Sequence, residues 1–515
     1  MSLRTPRIAV IGAGVAGLAS AIDLASAGMD VTLFERAHHP GGKIRQITIG
    51  GATIDAGPTV FTMRHVFEEL FADAGESLER YIKLTPATLL ARHAWSASER
   101  LDLFADPERT RDSIHAFAGS REAQGFVRFC AQARRIHRTL EDSFMRSSRP
   151  SPLGLLQRTG GIGAWSELWN IRPFESLWRA MNTYFRDPRL CQLFARYATY
   201  CGSSPFCAPA TLMLVAHVEQ AGVWYVQGGL HRLATQLAAL ALAKGARLRF
   251  ATGIAELLIT QGRVAGVQTE AGERVLVDAV VCNADNNALA SGLFGQQAMR
   301  AVRATPAAGR SLSAVTWNLL AHTQGFELAH HSVFFSRDYR AEFDEIFRQR
   351  RLPSSPTIYV CAQDRRDAKA SGAHAERLLL LINAPPIGDA RGFDPTELQS
   401  CEDGVFRTLE TFGLQIDGRP EDGVRTSPAD FHRLFPATGG ALYGPASHGW
   451  MASFKRPGSR SAIPGLYLAG GSSHPGPGVP MAATSGRLAA ACIMSDYASM
   501  ARSRTMAMSG GTSMR

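Results

Sequence analysis

The stretch RIAVIGAGVAGLASAIDLASAGMDVTLFE, Arg7 to Glu35, admits few folds. An apolar run of strand length, Ile8 to Ile11, meets Gly12, Gly14 and Gly17 in GxGxxG spacing. A small-residue helix with Ala16 in its first turn follows to a stop at Gly28, and VTLFE then forms a second strand ending in Glu35. Each glycine answers a separate requirement: Gly12 permits the tight turn, Gly14 lets backbone approach a pyrophosphate, and Gly17 allows close helix–strand packing. The helix N-terminus offers free N–H groups and positive dipole to phosphate charge. Glu35, with Arg36 beside it, stands where a carboxylate accepts hydrogen bonds from a ribose, and an acid there disfavours a 2′-phosphate. The chain therefore opens as an α/β dinucleotide-binding unit. These residues leave NAD and FAD both open.

Two further regions belong with it. GLYLAGGSSHPGPGVPMAATSGRLAA, Gly465 to Ala490, reads as a short buried strand, a loop dense in Gly and Pro, and a helix. Between Tyr225 and Asp285, leucines 230, 233, 237 and 240 recur at helical spacing, Gly245 stops the helix, Arg247 to Phe250 begins a strand, and VVCNAD ends another.

HPGGKIRQ (His39 to Gln46) and IDAGPTVFT (Ile54 to Thr62) resemble the flavoprotein superfamily of amine oxidases and carotenoid desaturases, whose members carry a glycine pair and a Lys or Arg after the ribose-binding acid. The resemblance implies FAD. On it, Gly41, Gly42 and Lys43 lie along the diphosphate and ribityl chain, Gly57, Pro58 and Thr59 approach the flavin, and Ile254 meets adenine through its backbone. Gly470 and Gly471 pass the diphosphate and ribityl, while Met481 and Ala482 begin a helix whose N–H groups favour the anionic reduced flavin. SSHPGPGVP is similar to the THPG-containing signature of bacterial and fungal carotenoid desaturases, with Ser473 where Thr is usual.

DAGPTVFTMRHVFEELFADAG, LDLFADPERT, FRDPRLCQLFARYATYCGSSPFCAPATL and AGVWYVQGGLHRLA narrow the resemblance further. They are similar to the hydroxyneurosporene desaturase (methoxyneurosporene dehydrogenase) family of photosynthetic bacteria, from Arg7 to about Asp496 and least distinctly over 291–439. The resemblance implies an oxidoreductase of CH–CH groups that introduces the 3,4 double bond into acyclic 1-hydroxy or 1-methoxy carotenoids, in spheroidene- or spirilloxanthin-type biosynthesis. The expected chemistry is hydride transfer to flavin N5 and loss of a proton from a carbon acidified by the polyene. Such a proton needs no strong base. His474 is the candidate for proton handling, and His217 and Glu219 are the candidates for meeting the terminal oxygen. Alternative readings are a phytoene desaturase, which shares the terminal motifs, a flavin amine oxidase, and a non-redox lipid escort like the Rab GDP-dissociation inhibitors. An amine oxidase would use an aromatic pair and a water-holding lysine, and the chain has few lysines to offer.

The expected architecture is a Rossmann-like FAD-binding domain built from 1–80, 220–290 and 440–500. Into it are inserted a helical part at 81–219, expected on the membrane side, and an α+β substrate-binding domain at 291–439. A flexible tail is expected at 501–515. The 515 residues, 45% of them hydrophobic, suffice for two or three cores. With no run of eighteen apolar residues, and with Met1 to Arg7 leading directly into the first strand, neither a transmembrane helix nor a signal peptide is expected; the expected location is peripheral, on the cytoplasmic side of the inner or photosynthetic membrane.

Eight scattered cysteines without a CxxC pair argue against a structural metal or redox dithiol. The net charge of +10 comes from dispersed arginine, which suits an anionic membrane surface better than nucleic acid. Trp165, Trp169 and Trp178 either sit at headgroup depth or pack onto the substrate domain. No second GxGxxG follows a strand, so no NAD(P) site is expected, and electrons are expected to leave to oxygen or a quinone.

Overall fold

A computed structural model describes residues 5–148, 171–366, 375–418 and 422–509, excepting the side chains of Asp142 and 501–509. Strand β1 (Arg7–Ile11) sits mid-sheet with both faces covered. Because alternate side chains leave a strand on opposite faces, Ile8 and Val10 enter the core shared with the helices, while Ala9 and Ile11 enter a second core on the other side. The helical layer comprises α1 (Val15–Ser26), His231–Ala243 and the C-terminal helix Val479–Ser509. The opposite layer is an antiparallel meander of Ile254–Thr260, Arg263–Thr269 and Arg274–Leu276.

The sheet is parallel throughout. Its order is Arg247–Arg249, β2 (Asp30–Phe34), β1, Ala279–Cys282, Leu466–Leu468. The chain leaves β1 to one side for β2 and later returns to the other side for Ala279–Cys282. A crevice must open where the loops after those strands diverge, and ligands of such sheets bind there.

A second, mixed sheet runs Leu414–Asp417, Ser313–Gly325, Glu376–Ala384, Ile358–Ala362, His331–Phe334, Leu89–Ala94, Arg100–Phe104, with Val424–Thr426 also against Ser313–Gly325. Leu89–Ala94 joins it in parallel to His331–Phe334. The expected division into a helical 81–219 and a separate 291–439 is therefore corrected: the first segment supplies two strands to the sheet of the second. The helices Ser120–Leu140, Leu177–Tyr184 and Pro188–Ala195 bury Phe126, Phe129, Phe185 and Phe194 beside this sheet. Trp178 packs among them, 4.9 Å from Phe206 and 6.1 Å from Tyr339 between ring centroids, which favours packing over membrane contact for this tryptophan. Trp165 and Trp169 lie outside the described residues.

The tail also differs from expectation, since the last helix continues to Ser509. Between Ser495 and Ser509 the sequence is rich in Ala, Met and Arg, all good helix formers, and contains neither Gly nor Pro. Among the described residues no helix is long and apolar enough to cross a membrane.

Candidate functional site

The crevice after β1 opens into a single cavity of about 1430 Å³. A site for one small molecule occupies about 300–1,000 Å³, so this cavity has room for an elongated cofactor and a second ligand. It runs from Glu35 and Ile254, past the glycine turns, to Thr59 and Met481, and on through an apolar region to Trp450.

At the first end, the Glu35 carboxylate accepts from the Ala13 N–H at 2.7 Å and the Ala37 N–H at 2.9 Å, which fixes it at the tip of β2 while it faces the cavity. Arg36 also lines the cavity and donates to the Leu434 carbonyl. No side chain caps the start of α1, so the N–H groups there remain available beside Gly14 and Ala16. The second glycine turn folds onto the first: the Gly41 N–H donates to the Ala13 carbonyl at 2.9 Å, and Gly42, at φ +58°, lies over the Gly14 Cα. Lys43 Nζ donates to the Leu442 carbonyl at 2.5 Å, and burial lowers its pKa.

Gly57, Pro58, Thr59, Gly470, Gly471, Met481 and Ala482 line the same cavity. Of the expected cofactor residues, Gly17 alone does not; it sits beneath the turn, where a Cβ would press into the Gly12 carbonyl oxygen.

This donor set fits FAD. Two helix starts and three glycine turns face one long cavity that the Glu35 carboxylate also lines. The Asn283 Oδ1 is buried without a hydrogen-bond partner beside Gly14 and Gly470, which leaves an acceptor for ligand hydroxyls. Asn283 was not legible as a site residue, being one polar residue in the VVCNAD closure. Asp55 was missed likewise. Its carboxylate accepts from the N–H of Leu230, the N–H of His231 at 3.3 Å and Gln46 at 3.1 Å, tying the 54–62 loop to the start of a helix.

The candidate catalytic and substrate residues are not brought together. Glu219 is buried and lines the cavity, accepting from Tyr197 at 2.8 Å and Tyr200 at 2.7 Å. Burial raises its pKa, against the pull of those two hydroxyls. His217 faces away, its ring 4.9 Å from His137, and does not line the cavity. His474 is outside the lining too: its Nε2–H donates to the Phe144 carbonyl at 2.9 Å and its ring meets Phe144 edge-on. In this structure His474 holds a loop-anchoring position, its bond and its packing both directed at Phe144.

Burial pushes the His474 pKa down to about 4, whereas an unfolded histidine protonates near 6.5. The native state then binds fewer protons between those values, so stability is full above about pH 6.5 and is lost as pH falls toward about 4. Thermal melts at about pH 7.5 and about pH 5 should show this loss, and His474→Gln should narrow the gap between them. An unchanged gap would refute the assignment.

Strand pairing also assembles a trio invisible in the linear spacing. His331 stands opposite Cys361, and with His330 they bring one ligand-type atom each within 4.8 Å of one another. The Nδ1 atoms are engaged, His330 with the Arg365 carbonyl and His331 with the Tyr359 hydroxyl, each at 2.7 Å.

Comparison with known proteins bears on this site. The family model described as flavin containing amine oxidoreductase matches residues 15–494. A hydroxyneurosporene desaturase from Rubrivivax gelatinosus is 54% identical over 514 residues, covering 100% of this chain and 98% of its own length. One from Cereibacter sphaeroides is 42% identical over 497 residues, covering 96% and 99%. Among solved structures, an oxidoreductase from Methanosarcina mazei superposes with a TM-score of 0.58 at 15% identity, over 93% of this chain and 99% of that one, a likeness of fold alone.

Proposed function

The chain belongs to the flavin-containing amine oxidoreductase family, and on that premise we propose that it is an FAD-dependent carotenoid desaturase, introducing the 3,4 double bond into acyclic 1-hydroxy or 1-methoxy carotenoids. The observation that carries the reading is one continuous cavity joining the glycine turns to a long apolar chamber, in a chain similar over its full length to hydroxyneurosporene desaturases.

Bound FAD supplies the two-electron acceptor that oxidation of a carbon–carbon single bond requires. The protein's part is to bind, orient and exclude water. Glu35 and the two helix starts hold the cofactor's polar length, and Gly57 to Thr59 with Met481 and Ala482 bound the place where substrate meets it. Leu140, Met145, Leu212, Val215 and Val218 make the chamber apolar, which suits a polyene. Next to Thr59 the available groups are hydroxyls, the Thr59 Oγ1 and Tyr359 phenol 2.7 Å apart. Weak acceptors of this kind suffice for a proton already acidified by conjugation. Electrons leave the reduced cofactor to oxygen or a quinone.

Membrane contact fits the substrate. The chamber reaches Trp450, which is 44% exposed and meets Phe174, itself 63% exposed, edge-on with ring centroids 5.0 Å apart. An exposed aromatic pair beside the cavity suits the headgroup region of a bilayer. A peripheral position on the cytoplasmic face, from which a carotenoid can pass directly into the chamber, follows from this reading. An amine oxidase is less well supported: among the described lysines only Lys43 lines the cavity, and its ammonium is spent on a carbonyl.

The test is anaerobic. On adding 1-hydroxyneurosporene in liposomes, the flavin band of the purified protein should bleach and a product two hydrogens lighter should form, while phytoene and benzylamine leave the band intact. Bleaching by phytoene or benzylamine instead would replace the reading.

A further inference from the structure

The chamber holds a cation with little to bind. Each of the other arginines and lysines that line the cavity donates to an oxygen: Arg456 to the carbonyls of Tyr443, Gly471 and Pro445 at 3.3, 2.9 and 2.7 Å, Lys43 to that of Leu442, Arg36 to that of Leu434, Arg45 to the Thr426 hydroxyl at 3.1 Å, and Arg433 to the Asp430 carboxylate. Arg196 differs. Among the described residues it has no carboxylate within ion-pair distance, and the groups that act on its guanidinium are tyrosines, Tyr200 first among them. It lies between two tyrosine rings, 5.6 Å from the Tyr200 centroid and 5.7 Å from that of Tyr359. It lines the large cavity and a small neighbouring pocket that Tyr200 and Tyr359 also line.

A guanidinium has five N–H donors, and leaving them unmet in an apolar chamber is costly. The surroundings are built to keep it there. Tyr200 in turn donates to Glu219 at 2.7 Å, so the nearest buried carboxylate acts through one phenol. The Tyr359 hydroxyl is fixed by Thr59 Oγ1 and His331 Nδ1, each at 2.7 Å.

We infer that Arg196 binds the terminal oxygen of the substrate, donating its free N–H groups to the C1 hydroxyl or ether oxygen and so setting which bond of the chain is oxidised. This rests on the desaturase reading above and names the group that makes it selective. One carbon separates C1 from C3, so an anchor for this oxygen must stand close to the reacting bond rather than at the far end of the chamber. Arg196 meets that condition, because a single side chain, Tyr359, links it to Thr59. A donor-only group also accepts either a hydroxyl or a methoxy oxygen, whereas a carboxylate anchor would require the hydroxyl proton. Glu219, already occupied by Tyr197 and Tyr200, is the counter-charge rather than the contact.

The experiment compares 1-hydroxyneurosporene with 1,2-dihydroneurosporene, the same skeleton without the oxygen. Equilibrium binding and anaerobic flavin reduction are measured with both, delivered in liposomes to the flavin-loaded protein. The unmodified protein should prefer the oxygenated carotenoid by about 10- to 100-fold, the range for a hydrogen bond to a charged group. Arg196→Met should retain its flavin band and lose that preference, while Arg196→Lys, which keeps the charge without the fork, should retain part of it. Equal affinity of the unmodified protein for both carotenoids would overturn the inference without recourse to any variant, and so would a flavin-loaded Arg196→Met that still discriminates. If neither carotenoid reduces the flavin, the desaturase reading itself fails, a result distinct from the other two.

Discussion

Gly17→Ala is expected to yield a protein that purifies without its yellow flavin band. The added Cβ would fall well inside contact distance of the Gly12 carbonyl oxygen, with the Gly12 carbonyl carbon at 3.2 Å and Asn283 Cβ at 3.4 Å. Backbone cannot yield here as the end of a long side chain could. Gly12 is at φ +98°, held by its N–H to the Phe34 carbonyl at 2.8 Å. The first turn of α1 must therefore move away from the crevice, taking with it the uncapped N–H groups beside Gly14.

Retreat is blocked on the other side. The C-terminal helix crosses α1 at Gly486, where a Cβ would press into the Ala16 carbonyl oxygen. Overpacking of this kind costs about 1–3 kcal/mol, and here it is concentrated on the groups that receive the cofactor. Absorbance of the purified variant, before and after incubation with excess FAD, checks the result. A Gly17→Ala protein that binds FAD normally would refute the turn as the cofactor cradle. Gly28→Ala is the control: it tests an added Cβ at a positive-φ glycine with nothing within 4 Å, and should keep its flavin.

The contrast between those glycines shows what was legible in sequence. The βαβ unit, the second glycine turn and the C-terminal loop are local patterns, each carrying its geometry in a few adjacent residues. Their convergence on one cavity followed from a parallel sheet whose ligand crevice is fixed by strand order. The substrate half was less legible because its geometry comes from distant pairings. Leu89–Ala94 finds its parallel partner at His331–Phe334, more than two hundred residues away. Arg196 and Tyr359 meet only through that sheet and the helices on it, so ARYATY gave no sign that its arginine faces a chamber. His474 differs in the opposite direction: closeness in sequence to the glycine loop suggests a reacting group, while its hydrogen bond is to the Phe144 carbonyl. Glu219 was chosen for being a polar residue near an aromatic stretch, and it does line the cavity, but as a partner of two tyrosines.

That partnership predicts the second large effect. Glu219→Ala removes the acceptor of both the Tyr197 and Tyr200 phenols and leaves Arg196 without its nearby negative charge. Stranding two buried phenol donors costs about 1–3 kcal/mol each, a large share of the roughly 5–15 kcal/mol by which folded proteins are stable. For a chain of this length the melting temperature should fall by on the order of 3–5 °C. Arg196, which meets Glu219 through Tyr200, loses its counter-charge as well, so taking the cation away should return part of the loss. The double variant Glu219→Ala with Arg196→Met is expected to melt above Glu219→Ala alone, with a coupling of about 0.5–3 kcal/mol between the two sites. Glu219→Gln, which keeps the shape and one acceptor but not the charge, should fall between the unmodified protein and Glu219→Ala. If the two single losses simply add in the double variant, Arg196 and Glu219 are not coupled through Tyr200, and the chamber's cation must draw its stability from elsewhere.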